Sequence, residues 1–182
     1  MVQPLYSQQE ALTRETFLAL MWSFSYPGQV QALPASVQTT HDAFSAIAAT
    51  LLDLETTYFI GDDTLNTELV RTGARSVGAS KAAYHFYRTL DLDVVQAASV
   101  GTMLFPDHSA TLLIAARFGS GLTLRLSGPG IPAAAQVQVG EVPAAFWELR
   151  ERKARYPLGW DIYLVDGPHV LGLPRTTRID IV

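Results

Sequence analysis

Residues 162–173 read IYLVDGPHVLGL, and this stretch decides the fold. Its two apolar runs, Ile162–Val165 and Val170–Leu173, flank Asp166-Gly167-Pro168, which is typical of a hairpin turn. Because a hairpin joins antiparallel strands, we do not expect a purely parallel sheet. Strand and helix patterns interleave along the rest of the chain, so the predicted class is α/β. The expected architecture is a three-layer sandwich with a mixed β-sheet flanked by helices.

Upstream of the hairpin, short apolar segments between turn residues are typical of strands. The continuous apolar run Ala110–Arg117 favours a buried strand. Further strands are expected at Thr56–Ile60, Ala82–Tyr87 and Gly121–Leu126, around Val137 and Val139, and at Ile179–Val182. Helices are expected after a cap at Thr39 or Thr40, at Asn66–Arg71, at Leu92–Ala98 and from Pro143 onward.

The first helix has the clearest start and stop signals. Ser7 and Glu10 have the spacing of a capping box, and Ser25-Tyr26-Pro27-Gly28 ends the helical pattern. Between them, apolar residues at i, i+3, i+4 and i+7 predict an amphipathic helix with a buried stripe. The stripe consists of Phe17, Leu20, Met21 and Phe24.

Composition indicates a protein that meets other proteins. The 182 residues fit one domain, taken as 1–182. Only 16% are charged, against about 25% in an average soluble domain, while 48% are hydrophobic and the mean hydropathy is +0.16. These charges are too few to cover a solvated monomer, so a homodimer or a complex subunit is expected.

Charge and residue types also exclude several functions. The 13 basic and 17 acidic residues give a net charge of −4, which argues against nucleic acid as a partner. The chain has no cysteine, so disulfides, iron–sulfur clusters and cysteine nucleophiles are excluded. The four histidines show no metal-ligand spacing, and no metal site is predicted.

Membrane insertion and export are not expected. The uncharged run from Thr16 to Thr40 is interrupted by Pro27, Gly28 and Pro34, so its solid apolar block is far shorter than the roughly 20 residues of a membrane span. Met1–Glu10 lacks the basic and apolar regions of a secretory signal. A cytoplasmic location is predicted.

Two glycines form a weak nucleotide-binding pattern. Residues 128–133 match G-x-G-x-x-A after a predicted strand, a pattern that binds dinucleotides when it opens a helix. Because it comes late in the chain and contains two prolines, a rigid surface loop at Gly128 and Gly130 is favoured. A pyridoxal cofactor is not expected either, because the only lysines are Lys81 and Lys153 and nothing near Lys81 in sequence indicates a phosphate cup.

The segment Arg175-Thr176-Thr177-Arg178 is the most interesting candidate site. Its two guanidiniums and two hydroxyls are donors suited to phosphate or carboxylate, so it could bind an anion or a partner. In an extended chain, Arg175 and Thr177 share one face while Thr176 and Arg178 share the other. A structural role, with an arginine paired to Asp161 or Asp180, is the favoured alternative.

Several blocks of this sequence resemble the PhnH family, whose members belong to the bacterial carbon–phosphorus lyase system for phosphonate breakdown. The blocks lie in the same order as in that family and cover nearly the whole chain. They are Phe17, Met21 and Pro27-Gly28; Gly101-Thr102, Phe105-Pro106 and Ala110-Thr111-Leu112; Leu124–Ile131; and Tyr156–Asp161, Leu164 and Leu171–Arg178. One departure is Leu18-Ala19-Leu20-Met21-Trp22, where family members often carry basic residues.

The resemblance implies a cytoplasmic homodimer with an architecture similar to pyridoxal-phosphate-dependent transferases but with no cofactor. It also implies assembly with PhnG, PhnI and PhnJ, with PhnL in the same pathway. Together the G, H, I and L proteins transfer a phosphonate to the ribose C1′ of ATP with release of adenine. The resemblance implies no catalytic residue in this chain. The alternative is a self-sufficient nucleotide- or phosphate-binding enzyme that uses the Gly128 loop and Arg175–Arg178.

Overall fold

The computed structural model describes residues 7–182. Part of the Met1–Glu10 stretch considered for a signal sequence lies outside the described residues. The helices are α1 (Gln8–Ser25), α2 (Thr40–Leu51), α3 (Asn66–Arg71), α4 (Leu92–Val95) and α5 (Ala144–Lys153). The strands are β1 (Gln31–Ala32), β2 (Thr57–Ile60), β3 (Arg75–Ser76), β4 (Tyr84–Tyr87), β5 (Thr111–Ala115), β6 (Arg117–Ser127), β7 (Ala135–Gly140), β8 (Asp161–Asp166), β9 (His169–Leu173) and β10 (Arg178–Ile181).

Seven strands form a mixed sheet in the order β1-β9-β8-β5-β4-β2-β3. The pairs from β8 through β5, β4 and β2 to β3 are parallel, whereas β9 is antiparallel to both β8 and β1. The predicted hairpin is confirmed, because Asp166 pairs with His169 across its turn. The expectation of a mixed sheet in an α/β protein is confirmed with it.

The mixed sheet has a hydrophobic core on each face. Alternate residues of one strand contribute to opposite cores, as Leu112 and Leu113 of β5 do. Helices α1, α2 and α3 cover one face. The other face is covered by α4 and α5 together with a separate antiparallel sheet of order β10-β6-β7. The expected helical layers therefore account for one face, and three strands replace much of the second.

Helix α1 begins as predicted but turns a different face to the sheet. The capping box between Ser7 and Glu10 is present, yet the buried residues of α1 are Thr16, Ala19, Leu20 and Ser23. Phe17 and Met21 are exposed, so the predicted buried stripe is wrong at two of its four positions.

Close packing explains the rotation of α1. A Cβ built on Gly172 of β9 would lie 2.7 Å from the Ser23 Oγ and 2.3 Å from the Phe24 ring. The helix therefore lies almost on the backbone of β9, and small side chains such as Ala19 and Ser23 allow that approach. The larger Phe17 and Met21 are turned outward.

The predicted cap of α2 is present, whereas the predicted strand Ala110–Arg117 ends at Ala115 and the predicted helix Leu92–Ala98 ends at Val95. Thr39, rather than Thr40, caps α2 and forms a capping box with Asp42. Within residues 7–182, no helix is both long and apolar enough to cross a membrane.

Candidate functional site

The segment Pro174–Arg178 is a turn that leads into a strand. β9 ends at Leu173, β10 begins at Arg178, and the Thr177 N–H donates to the Pro174 carbonyl at 2.9 Å. The two-face arrangement expected for an extended chain is therefore wrong, because a turn at Arg175 and Thr176 separates the two strands.

Arg175 is held by groups of this chain itself. Its Nε lies 3.2 Å from the Asp161 Oδ2, its Nη2 forms an ion pair with the same carboxylate, and its backbone N–H donates to Oδ1 at 2.8 Å. Its Nη1 donates to the Pro106 carbonyl. The Arg175 and Asp161 side chains are only 19% and 21% exposed. The pairing with Asp161, one of the two expected structural partners, is thus formed.

A second arginine, on helix α5, also holds this turn. Arg150 on α5 is 1% exposed, and its guanidinium donates to the Thr177 carbonyl at 2.6 Å and to the Pro174 carbonyl at 3.0 Å. It also forms an ion pair with Glu151. Sequence reasoning missed this role because Arg150 begins a basic run. A signal was present, since Arg150 follows Phe146 by four residues and so lies on the buried helical stripe.

The remaining members of the candidate segment point to different surroundings. Thr177 is buried, Thr176 is half-buried, and Arg178 is exposed with its Nε 3.6 Å from the Asp180 Oδ1. The structure therefore does not bring the two arginines and two threonines onto one surface. Anion or partner binding by this segment stays a prediction.

The Gly128 loop lies against that turn and against the end of α1. A Cβ on Gly128, whose φ is +134°, would lie 2.9 Å from the Thr176 carbonyl oxygen. One on Gly130 would lie 2.8 Å from the Ser25 carbonyl oxygen. The loop connects β6 to β7 and opens no helix, so it lacks the helix N-terminus that a dinucleotide fingerprint needs. A shallow pocket of about 330 Å³ between Pro129, Tyr156 and Thr176 marks where the segments meet.

A polar pocket that sequence reasoning missed lies at the edge where β4 and β5 begin. Its volume is about 340 Å³. The residues that give it polar character come from three separate stretches of the chain, which is why no motif announced them. They are Ser80, Lys81, Ser99, Asp107, His108 and Ser109. Lys81 has no phosphate-binding motif near it in sequence, but three serines line the same pocket in the folded structure.

His85 supports this edge of the sheet from inside. It is fully buried, its Nε2 lies 3.3 Å from the Ala82 carbonyl oxygen and its Nδ1 lies 2.9 Å from the Tyr87 hydroxyl. Because a carbonyl only accepts, Nε2 donates to Ala82 and Nδ1 accepts from Tyr87. Burial lowers the pKa of His85 to about 4, so the ring is neutral near pH 7.

This chain matches one family of known proteins over nearly its whole length. The family model PhnH, a bacterial phosphonate metabolism protein, matches residues 4–180. The chain belongs to the PhnH family. The resemblance expected from the motif blocks is therefore confirmed.

Two curated proteins are similar to this PhnH-family chain along most of its length. It is 36% identical over 169 residues to the putative C-P lyase subunit protein HtxG of Stutzerimonas stutzeri, which covers 91% of this chain and 84% of that protein. It is 26% identical over 179 residues to the alpha-D-ribose 1-methylphosphonate 5-triphosphate synthase subunit PhnH of Rhizobium meliloti (strain 1021), which covers 92% of this chain and 90% of that protein.

The motif blocks that carry the PhnH resemblance meet in space. Pro106 comes from one block and Asp161 and Arg175 from another, and the Arg175 guanidinium joins the two blocks. Gly128 belongs to a third block and packs on Thr176 beside them. In this PhnH-family chain, the most recognisable residues thus build a structural junction between the two sheets.

This PhnH-family chain also has an exposed apolar face on and just after α1. Phe17 is 51% exposed and Trp22 is 44% exposed, with the Trp22 ring stacked on Tyr26 at 5.5 Å between centroids. Leu18 and Met21 extend the same helix surface. Contiguous apolar surface of this kind commonly marks an interaction site. The five side chains Phe17, Leu18, Met21, Trp22 and Tyr26 are called the α1 apolar face below.

Proposed function

We propose that this chain is a subunit of a carbon–phosphorus lyase system. In this role it is required with PhnG, PhnI and PhnL to transfer a phosphonate to the ribose C1′ of ATP with release of adenine. The observation that carries the proposal is the PhnH match over residues 4–180. The full-length similarity to a protein named as a subunit of the corresponding synthase supports it.

The arrangement of side chains favours an auxiliary role over a self-contained active site. Arg150 and Arg175, the two arginines nearest the candidate segment, are occupied by carbonyls and carboxylates of the fold. They therefore have little capacity to stabilise charge on a substrate. We propose that the displacement chemistry resides in partner subunits.

The proposed assembly includes a homodimer and the subunits PhnG, PhnI and PhnJ, in the cytoplasm. The α1 apolar face supports such assembly, because burying its side chains against another subunit removes apolar area from water at about 25 cal/mol per Å². We propose that this face, which includes Leu18, Met21 and Trp22 of the stretch where family members often carry basic residues, makes an apolar subunit contact. The similarity to pyridoxal-phosphate-dependent transferases in architecture stays a prediction.

A second candidate function is a self-sufficient enzyme acting on a nucleotide or phosphate ligand. The observation that favours it is the pocket at Pro129, Tyr156 and Thr176, where the Gly128 loop meets the turn at Arg175. This candidate requires activity without partners, and the proposed subunit role does not.

The deciding experiment measures adenine release from ATP and methylphosphonate, first with the purified chain and then with its partner subunits. We expect adenine only when the partners are present and a loss of activity when this chain is omitted. Adenine release by the chain alone would favour the second candidate. Full activity of the partners without the chain would contradict the proposed subunit role.

The subunit contact has its own test. Trp22→Glu places a charge in the α1 apolar face and should abolish dimerisation or capture by the partner subunits in sedimentation experiments. Val70→Glu is the matched control, because Val70 is also an exposed apolar helical residue but lies on α3. Equal assembly of both variants would contradict a contact through α1.

A further inference from the structure

The polar pocket contains a buried hydroxyl whose hydrogen-bonding capacity is unused. Ser109 is 8% exposed and lines the pocket, and its Oγ is buried without a hydrogen-bond partner among residues 7–182. A buried polar atom without a partner costs about 1–3 kcal/mol, so natural proteins rarely retain one without a reason. A ligand acceptor in the pocket would satisfy this donor after rotation about one side-chain bond.

Lys81 supplies a cation at the same pocket. Among the described residues, no carboxylate forms an ion pair with it. Its backbone is nevertheless held, since its N–H donates to the Gly78 carbonyl at 2.9 Å and its carbonyl accepts from the Thr57 hydroxyl at 3.3 Å. The ammonium is therefore carried on a fixed turn and remains available to a ligand.

The opposite wall is also preformed. The Ser99 hydroxyl donates to the His108 carbonyl at 2.9 Å, and the Ala110 N–H donates to the Ser99 carbonyl at 2.8 Å. The His108 ring stacks on Phe105 with 5.0 Å between centroids. These contacts fix the backbone on both sides of Ser109, so binding needs little reorganisation of this wall.

We propose that the polar pocket binds a phosphate-type oxyanion, either a phosphate or a phosphonate group. Lys81 supplies the charge, and Ser109, Ser80 and His108 supply hydrogen-bond donors. A volume of about 340 Å³ lies in the range of small-ligand sites. Asp107 is the acidic residue in the lining, and its charge opposes the anion. The site shares no residue with the α1 apolar face and does not depend on the proposed subunit role.

The test is a phosphorus NMR titration of the purified full chain with inorganic phosphate, methylphosphonate and ATP, each in a separate arm. We expect saturable binding, and Lys81→Ala and Ser109→Ala should each weaken it about tenfold or more. Asp107→Asn should strengthen binding. Lys153→Ala is the matched control and should bind like the wild type, because the Lys153 ammonium is engaged by the Gln96 carbonyl instead. The arm with the lowest dissociation constant identifies the source of the oxyanion.

Amine labelling gives a readout on the unmodified protein. The chain has two lysines, so acetylation followed by mass spectrometry should show that the bound oxyanion protects Lys81 and leaves Lys153 unprotected. The proposal is overturned if no arm binds tighter than about 1 mM, or if Lys81→Ala and Ser109→Ala bind as the wild type does. The proposal would also be overturned if adding the oxyanion did not change the extent of acetylation of Lys81 relative to that of Lys153. These measurements need no partner subunit, so their outcome is separate from that of the assembly experiments.

Discussion

Two regions of this molecule contain cationic side chains next to hydroxyl groups, and they use them in opposite ways. At the Pro174–Thr177 turn, Arg150 and Arg175 are consumed by backbone carbonyls and by Asp161. At the polar pocket, Lys81 forms no ion pair and Ser109 no hydrogen bond through its hydroxyl within residues 7–182. The first region holds the fold together, and the second keeps free donors.

The contrast teaches that density of donors in sequence is a poor guide to their availability. A charge that becomes buried must be paired internally, because an unpaired buried charge is strongly destabilising. The compact motif at Arg175–Arg178 lies between two strands where the sheets meet, so one of its arginines was drawn into the fold. The pocket residues lie at an open edge, and solvent allows Lys81 to stay unpaired.

The largest expected effect is a loss of stability when Arg150, which holds the Pro174–Thr177 turn, is replaced. Arg150→Ala should lower the free energy of unfolding by about 3–5 kcal/mol, because the Thr177 and Pro174 carbonyls each lose a charged donor, at about 1.5–3 kcal/mol per hydrogen bond. Urea or thermal unfolding measures this loss. Arg152→Ala is the control, because Arg152 lies two residues further along the same helix and its side chain is exposed. This substitution should change stability by less than about 0.5 kcal/mol. A similar loss of unfolding free energy in the two variants would contradict the structural role of Arg150.

A slightly smaller effect concerns His85, which supports the pocket side through Ala82. Burial lowers the pKa of His85 from its ordinary 6.5 to about 4 in the folded protein. The unfolded chain therefore binds more protons in this window, and stability that is fully present above pH 6.5 should be lost as the pH falls toward 4. The loss attributable to His85 is about 3 kcal/mol. Unfolding of His85→Gln should show a flatter pH profile over this window.

The control for that profile is His169→Gln, which makes the same substitution at an exposed position. A wild-type slope retained in His85→Gln would contradict the prediction.

The third effect tests the predicted site segment directly. Arg175→Ala should lower the unfolding free energy by about 1.5–3 kcal/mol, the range for hydrogen bonds to charged groups, because Asp161 loses its guanidinium partner. Arg178→Ala should leave thermal stability nearly unchanged, since Arg178 is exposed. Both variants should also be tested for assembly with the PhnI-containing complex. Lost assembly or activity at an unchanged melting temperature would assign Arg175 to binding.

The smallest effect compares two of the buried hydroxyls that have no partner among the described residues, Thr177 Oγ1 and Ser109 Oγ. Thr177→Val and Ser109→Ala should each raise the stability of the free protein by about 1 kcal/mol, the low end of the cost of an unsatisfied buried hydroxyl, because no hydrogen bond is lost. Adding phosphate should then raise the melting temperature of Thr177→Val as it does that of the wild type. A similar rise in Ser109→Ala would remove the distinction between the two regions.

Local sequence signals predicted the elements well where the decision was local. The Asp166-Gly167-Pro168 hairpin and the Ser7–Glu10 capping box are formed as expected, because turn and cap residues act on backbone groups a few positions away. The motif blocks also sufficed to indicate the family. The composition predicted a surface that meets protein, which stays a prediction, and the exposed α1 apolar face is the candidate for it.

The α/β class, the hairpin, the caps and the family could all be predicted before the structure was known, since each depends on short-range patterns in the sequence. Only the tertiary structure decided which face of α1 is buried, because the close approach to Gly172 favours small side chains over the apolar stripe. It alone buried Arg150 and paired Arg175 with Asp161. It also brought Lys81 and Ser109 to one pocket. These outcomes depend on which distant segments meet, and in a close-packed interior that is decided by the shapes of all the elements together.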